Sequence, residues 1–285
     1  MSKLKIALQK TGRLSEKSIL LLEECGIEFP NGGGKLITES LNFPIEILFL
    51  RDDDIPQYVE QGVADVGIIG ENVFLESRKN IRIVEKLGFS SCRLSLAVPK
   101  EINYTGLSFF NNKRIATSYP NILSEYLQKN NVKATLEVIS GSVEISPGIG
   151  LAEGICDIVS SGSTLFSNGL KEVEKVLSSQ AVLASSKDLD ADKQIILEKL
   201  LFRIRSVQKA KGNKYILLNT PNDKINEIAK ILPGMNSPTI LPLAKAGWSS
   251  LHSVISEDKF WDIIDELKEA GAEGILIVPI EKMFL

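Results

Sequence analysis

The chain has 285 residues, 44 % of them apolar and 24 % charged, with a net charge of −3. That length can bury a core without disulfide staples, and the charge balance lacks the basic footprint of a nucleic-acid binder. No apolar stretch approaches the roughly 20 residues of a membrane span, and Cys25, Cys92 and Cys156, far apart in sequence, read as buried thiols rather than disulfides or a zinc site.

The opening MSKLKIALQK is too short and too charged for a signal peptide, so a cytoplasmic protein is expected. LKIALQK reads as a strand, and Ser15 is placed to cap the helix after it. Ile19, Leu20, Leu22 and Cys25 recur there at helical spacing until Gly26 stops it. PIEILFL is the next strand. In RDDDIPQYVEQG, Asp54 reads as a cap, Pro56 falls in the first turn and Gly62 closes the helix. The run Asp52-Asp53-Asp54 is either a solvated capping face or a neighbour of a nucleotide or metal.

GVADVGIIG (62–70) and GICDIVSSG (154–162) share one frame: Gly, β-branched, small, Asp, β-branched, three residues, Gly. Each follows a helical stretch with a proline near its start, Pro56 or Pro147. Two lobes of similar α/β topology account for the repeat; chance likeness of two helix–strand joints is the alternative. Strands alternating with helices over 1–209 imply parallel sheets covered by helices, with CRLSLAVP and AVLAS as crossings between lobes. The expected lobes are 1–92 with 182–209, and 93–181. A ligand is then expected in the cleft, beyond the carboxyl ends of strands. After the helix DADKQIILEKLLFRIRSVQKA, the polar KGNK breaks the chain. Residues 213–285 read β-α-β-β-α-β, a ferredoxin-like third domain.

In GICDIVSSGST, Ile155, Ile158 and Val159 belong in a core, and Asp157 is a charge inside an apolar strand, costly unless paired or at the open end. Ser160, Ser161, Gly162, Ser163 and Thr164 follow. Small residues after a strand let backbone N–H groups converge on an anion; the hydroxyls add donors, and Gly162 permits positive φ. The loop is a phosphate cradle or merely a capped turn. Upstream, Glu144 in SGSVEISPGIG either joins Asp157 in accepting sugar hydroxyls or is an exposed helix-start carboxylate. Lys10, Gly12 and Arg13, between a strand and a helix, form a second anion site or a solvated basic turn; Arg13 suits bidentate phosphate binding. Arg93 is a weaker anion ligand or a hinge salt bridge, and Tyr119 a base-stacking face or core packing. His252, the only histidine, lies in the third domain, which leaves no Ser-His-Asp triad in the lobes.

LQKTGRLSEKS, RDDDIP, GVADVGIIGENV, SSCRLSLAVP, KRIATSYPN, GSVEISPGIGLAEGICDIVSSGSTL and SPTILPLA together resemble the ATP phosphoribosyltransferase family, in its long form with a C-terminal regulatory domain. The most specific stretch runs from Glu144 to Leu165; one departure is Ser91, where glycine commonly precedes the cysteine. The resemblance implies a two-lobed, periplasmic-binding-protein-like α/β catalytic region plus the ferredoxin-like domain. It implies transfer of the phosphoribosyl group of phosphoribosyl pyrophosphate to N1 of ATP, the first step of histidine biosynthesis, with Mg²⁺ bridging the pyrophosphate. On it, residues 160–164 hold the 5-phosphate, Asp157 and Glu144 take the ribose, and Lys10, Gly12, Arg13, Arg93 and Tyr119 serve ATP or pyrophosphate. Feedback inhibition by histidine is implied, at NSPTI (Ser237, Thr239) with Asn219, Val254 and Gly274, in a homo-oligomer that exchanges between dimer and hexamer. Two other readings are a two-lobed binding protein for a small anion and a ligand-binding transcription regulator. The first is disfavoured by the Glu144–Leu165 signature, the second by the missing helix-turn-helix.

Overall fold

The computed structural model describes residues 2–30, 35–232, 234–235 and 237–284. Asn236, the first residue of NSPTI, lies outside them. The chain forms two compact units, residues 1–23 with 27–198, and 24–26 with 199–285.

The first unit holds two sheets. Strand β1 (Leu4–Gln9) leads into α1 (Arg13–Glu24); β2 (Ile37–Glu39), β3 (Ile45–Leu50), α2 (Ile55–Glu60), β4 (Val66–Gly70), α3 (Glu71–Ser77) and β5 (Ile81–Lys86) complete the first lobe's run. The second lobe comprises β6 (Cys92–Pro99), β7 (Arg114–Thr117), α4 (Pro120–Lys129), β8 (Thr135–Val138), β9 (Gly154–Val159), α5 (Ser163–Ser167) and β10 (Leu170–Ser179). The chain then returns to the first sheet as β11 (Ala181–Ser186). The strand orders are β2-β3-β1-β4-β11-β5 and β10-β6-β9-β7-β8. Central strands are nearly continuous apolar runs because helices cover both faces: Ile6, Ala7 and Leu8 of β1 and Ile68 and Ile69 of β4 are buried.

Several local expectations are corrected. The sheets are mixed, not parallel: β11 runs antiparallel to β4 and β5, and β6 antiparallel to β9 and β10. The crossings lie just ahead of CRLSLAVP and AVLAS, each of which is the first strand after a crossing, and a chain that passes to another sheet and returns has no crossover helix to keep it parallel. Helix α1 begins at Arg13, so Ser15 is buried inside it rather than capping it. Ile158 is 38 % exposed, on the opposite side of β9 from Ile155 and Val159. Pro147 follows only a short 3-10 turn, Val143–Ile145.

Helix α6 (Ala191–Lys211) runs into the second unit, where Gly212 alone separates it from β12 (Asn213–Pro221), so KGNK is no linker. Then come α7 (Ile225–Ile231), β13 (Thr239–Pro242), β14 (Trp248–Ser256), α8 (Glu257–Glu269) and β15 (Glu273–Pro279). The sheet order β13-β14-β12-β15, antiparallel throughout, is ferredoxin-like. Ile216 and Leu218 of β12, Leu251 of β14, Ile228 of α7 and Leu267 of α8 form its core.

Candidate active site

Strand β9 delivers the hydroxyl loop. Gly162 stands at φ 84°, ψ −2°, the left-handed conformation that turns the chain from strand into α5. This conformation favours glycine. Ser161 and Ser163 share a hydroxyl–hydroxyl hydrogen bond of 2.9 Å, and the side chains of Ser160, Ser161, Ser163 and Thr164 face solvent. Helix α5 has five residues, so its dipole is small and the loop's own N–H and O–H groups are the main donors.

Asp157 is half-buried on β9, and its Oδ1 accepts the Ile158 N–H at 2.8 Å. Burial raises its carboxyl above the usual range, and the Glu144 charge raises it further. Glu144, in the turn Val143–Ile145, is thus electrostatically adjacent to Asp157.

Between the lobes lies a cavity of about 560 Å³, lined from the first lobe by Asp53, Val73, Glu76 and Ser77, and from the second by Ser118, Tyr119, Ser140 and Gly141 among others. Tyr119 precedes α4, and its hydroxyl accepts a hydrogen bond from Asn72 Nδ2 of α3 at 3.2 Å. Burial, then the Asp157 charge, push its phenol well above the ordinary range, so it keeps its proton. Asp52, beside the cavity residue Asp53, is raised to about 6 by burial and the Asp53 charge; its Oδ1 is buried without a partner.

The other sequence candidates separate. Arg93 forks Glu172 of β10 with two contacts of 2.5 Å and donates from Nη1 to the Ser160 carbonyl at 3.2 Å. It joins β6 to β10 and anchors the hydroxyl loop. Lys10 and Gly12, between β1 and α1, and Arg13, the first residue of α1, are exposed on the first lobe, with Gly12 at φ 98°.

In the second unit, cross-strand register places Asn219 opposite Ser250, Thr239 opposite His252 and Tyr215 opposite Val254. Paired residues share a sheet face, and alternation puts Ser250, His252 and Val254 on one side of β14. Asn219, Thr239 and Val254 therefore occupy the face away from the core. Gly274, at φ 56°, approaches Asn219 so closely that a Cβ would stand 3.2 Å from Asn219 Nδ2. Ser237 precedes β13, exposed. His252 bonds through Nδ1 to the Tyr215 hydroxyl and through Nε2 to Ser250.

Sequence reasoning missed Asn72, Glu76, Glu172 and Ser179. A polar Asn72 after the apolar VGIIG was a signal of burial with a partner; the partners themselves, remote in the chain, left none.

Two α/β lobes around a cleft, followed by a ferredoxin-like sheet, define a protein of the periplasmic-binding-protein-like fold class with an added C-terminal domain. Tv2483 bound to L-arginine shares the lobes' fold, with a TM-score of 0.52 at 13 % identity over 73 % of this chain and 85 % of that one. Residues 51–206 match the family described as HisG: ATP phosphoribosyltransferase, and 210–282 match HisG, C-terminal domain. ATP phosphoribosyltransferase of Cytophaga hutchinsonii is 61 % identical over 98 % of each chain, and that of Bacteroides thetaiotaomicron 57 % identical over 99 % of this chain and 100 % of its own. The ATP phosphoribosyl transferase (HisG:HisZ) complex from Thermotoga maritima superposes with a TM-score of 0.60 at 29 % identity, over 71 % of this chain and 98 % of that one. The chain belongs to the ATP phosphoribosyltransferase family of histidine biosynthesis and is a phosphoribosyl-transferring enzyme. Among the described residues no helix is long and apolar enough to cross a membrane.

Proposed function

We propose that the enzyme transfers the 5-phosphoribosyl group of phosphoribosyl pyrophosphate to N1 of the adenine of ATP, giving N1-(5-phosphoribosyl)-ATP and pyrophosphate. The observation that carries this reading is Asp157, a half-buried carboxylate at the root of an exposed hydroxyl loop, with the Glu144 charge beside it. Residues 160–164 hold the 5-phosphate through backbone N–H and side-chain O–H groups. Asp157 and Glu144 accept hydrogen bonds from the ribose hydroxyls. As pyrophosphate leaves, positive charge develops on the ribose ring, and a carboxylate already in place stabilises it without reorganising. Adenine N1 brings its own lone pair, so the protein supplies position and field rather than a nucleophile. Tyr119 lies in the cavity wall; Lys10, Gly12 and Arg13 serve ATP or pyrophosphate. Arg93 acts indirectly, by fixing the Ser160 carbonyl.

Among the described residues no group of three or more His, Cys, Asp or Glu side chains could hold a metal ion. Mg²⁺ would therefore bind with the pyrophosphate it bridges and would neutralise charge on that group as it departs. The outer sheet face bearing Asn219, Thr239, Val254 and Gly274, with Ser237, takes histidine as feedback inhibitor. The chain works as a cytoplasmic homo-oligomer exchanging between dimer and hexamer. The decisive experiment mixes the protein with ATP, phosphoribosyl pyrophosphate and Mg²⁺ and looks for phosphoribosyl-ATP. Its absence at high enzyme concentration overturns the reading.

A further inference from the structure

Asn72 is almost fully buried at the start of α3, and its carboxamide folds back so far that a Cβ at Gly70 would collide with Oδ1. The backbone N–H of Asn72 donates to Ser179 Oγ at 3.1 Å, and the Ser179 hydroxyl returns its hydrogen to Asn72 Oδ1 at 2.8 Å. Ser179 is itself buried at the end of β10, one residue before the chain crosses back to the first lobe. The crossing is fixed on both sides: Glu71 N–H donates to the Gln180 carbonyl at 2.9 Å, and Ala181 N–H to the Phe89 carbonyl at 2.9 Å.

A serine hydroxyl has one hydrogen to give. With that hydrogen on Oδ1, the carboxamide has one orientation, and its Nδ2–H group faces the Tyr119 hydroxyl oxygen of the other lobe at 3.2 Å. The phenol oxygen is then occupied as an acceptor, and its own hydrogen turns elsewhere. Burial first, then the charges of Asp157, Asp53 and Asp52, keep the phenol protonated.

We propose that Asn72, locked by Ser179, is a positioning residue for phosphoribosyl transfer: it holds the Tyr119 hydroxyl as a hydrogen-bond donor toward an oxygen of the phosphoribosyl substrate beside Asp157. The inference rests on the reaction proposed above. It makes a dipole at the crossing between lobes set the polarity of a group in the cleft wall.

Asn72→Asp keeps the shape and reverses the polarity. A carboxylate at this position accepts the phenol hydrogen and withdraws it from the substrate. The expected result is a fall in kcat of about 10- to 100-fold, the scale of one charge-assisted hydrogen bond, with KM for both substrates within about threefold. Ser179→Ala, which frees the carboxamide to flip, gives a smaller loss in the same direction and serves if the Asn72→Asp protein does not fold. In a Tyr119→Phe background neither change has a further effect, because the group they steer is gone. Wild-type activity with a kcat that neither substitution lowers, or a loss that persists in full in the Tyr119→Phe background, overturns the inference and leaves the reaction standing. A wild-type chain that forms no phosphoribosyl-ATP overturns both.

Discussion

Glu76 of the first lobe caps a helix of the second: its carboxylate accepts the N–H of Asn121 at 2.8 Å, and that of Ile122 at 2.9 Å, across 45 and 46 residues of sequence. Tyr119, at the N-cap position of α4, offers no side-chain cap of its own. An anionic acceptor at a helix N-terminus satisfies two otherwise unpaired donors and complements the dipole. Glu76 and Asn121 are joined again by Asn121 Nδ2, which donates to the Glu76 carbonyl at 2.9 Å.

Removing that carboxylate separates stability from closure. Glu76→Ala is expected to cost about 1 kcal/mol, the worth of a cap, or roughly 2–4 °C in Tm for a domain of this size. It should also raise KM for both substrates, since the cavity walls on either side are no longer tied. Glu76→Gln keeps an acceptor and falls between. Calorimetry and steady-state kinetics on the same samples check this; a lowered Tm with unchanged KM would leave Glu76 a cap and nothing more.

Gly162→Val addresses the hydroxyl loop. At φ 84° a β-branched residue is strained, although the nearest side-chain atom, Val159 Cγ1, would be 4.0 Å away. The expected penalty is therefore conformational, about 1–2 kcal/mol, in a loop whose side chains carry little core. Phosphoribosyl pyrophosphate binding, read by titration calorimetry, should be lost while cooperative unfolding persists. Undiminished affinity would sink the assignment of residues 160–164.

The lobes were legible because apolar strands and amphipathic helices announce themselves over a few residues. The shared frame of GVADVGIIG and GICDIVSSG was legible too, but it misaligns the structures. Asp65 lies before β4, buried, its oxygens taken by the Lys5 N–H at 2.8 Å and Lys193 Nζ at 2.9 Å. Asp157 sits inside β9, half-buried, its carboxyl raised by burial and by the Glu144 charge. One is held in an ion pair, the other stands at the root of the exposed hydroxyl loop, and the letters do not say which. Asn72 with Ser179, 107 residues apart, and Arg93 with Glu172, 79 apart, depend on strand and lobe pairing that local pattern does not encode.

Asp157→Asn should lower kcat more than it raises KM, because a charge that meets a developing cation acts mainly in the transition state. The same substitution should raise Tm at pH 8. Burial and Glu144 lift the folded carboxyl above its unfolded value, so its ionised form opposes folding at neutral pH and above. A rise in KM alone would show that Asp157 only binds.

Asp52 offers a cleaner stability readout. Its folded carboxyl is raised from 3.8 to about 6, so the folded state holds a proton that the unfolded chain releases between those values. Ionisation of Asp52 therefore destabilises fully above about pH 6, and the penalty fades as pH falls toward 4. Asp52→Asn should stabilise by about 1–2 kcal/mol at pH 7.5, less than the full shift because the side chain is only partly buried. At pH 4 the two proteins should unfold together. Parallel Tm curves from pH 4 to 8 would refute the assignment.

Histidine inhibition is testable without dividing the chain. Residues 24–26 and 199–285 form one unit, so a cut near Ala210 would strip the end of α6 from its partners; substitution on the outer sheet face leaves the core of Ile216, Leu218, Leu251 and Leu267 untouched. Thr239→Ala removes one exposed hydroxyl opposite His252. Gly274→Val is more severe: at φ 56° the backbone is strained for valine, and its Cβ would press on Asn219 Nδ2. Inhibition at a site outside the cleft requires two states that bind histidine differently, with a coupling of roughly 1–3 kcal/mol. Thr239→Ala should weaken inhibition about 10-fold and Gly274→Val abolish it, both with turnover in the absence of histidine near that of the parent. Inhibition unchanged in both variants, measured as the histidine concentration that halves the rate, would place the effector on another surface.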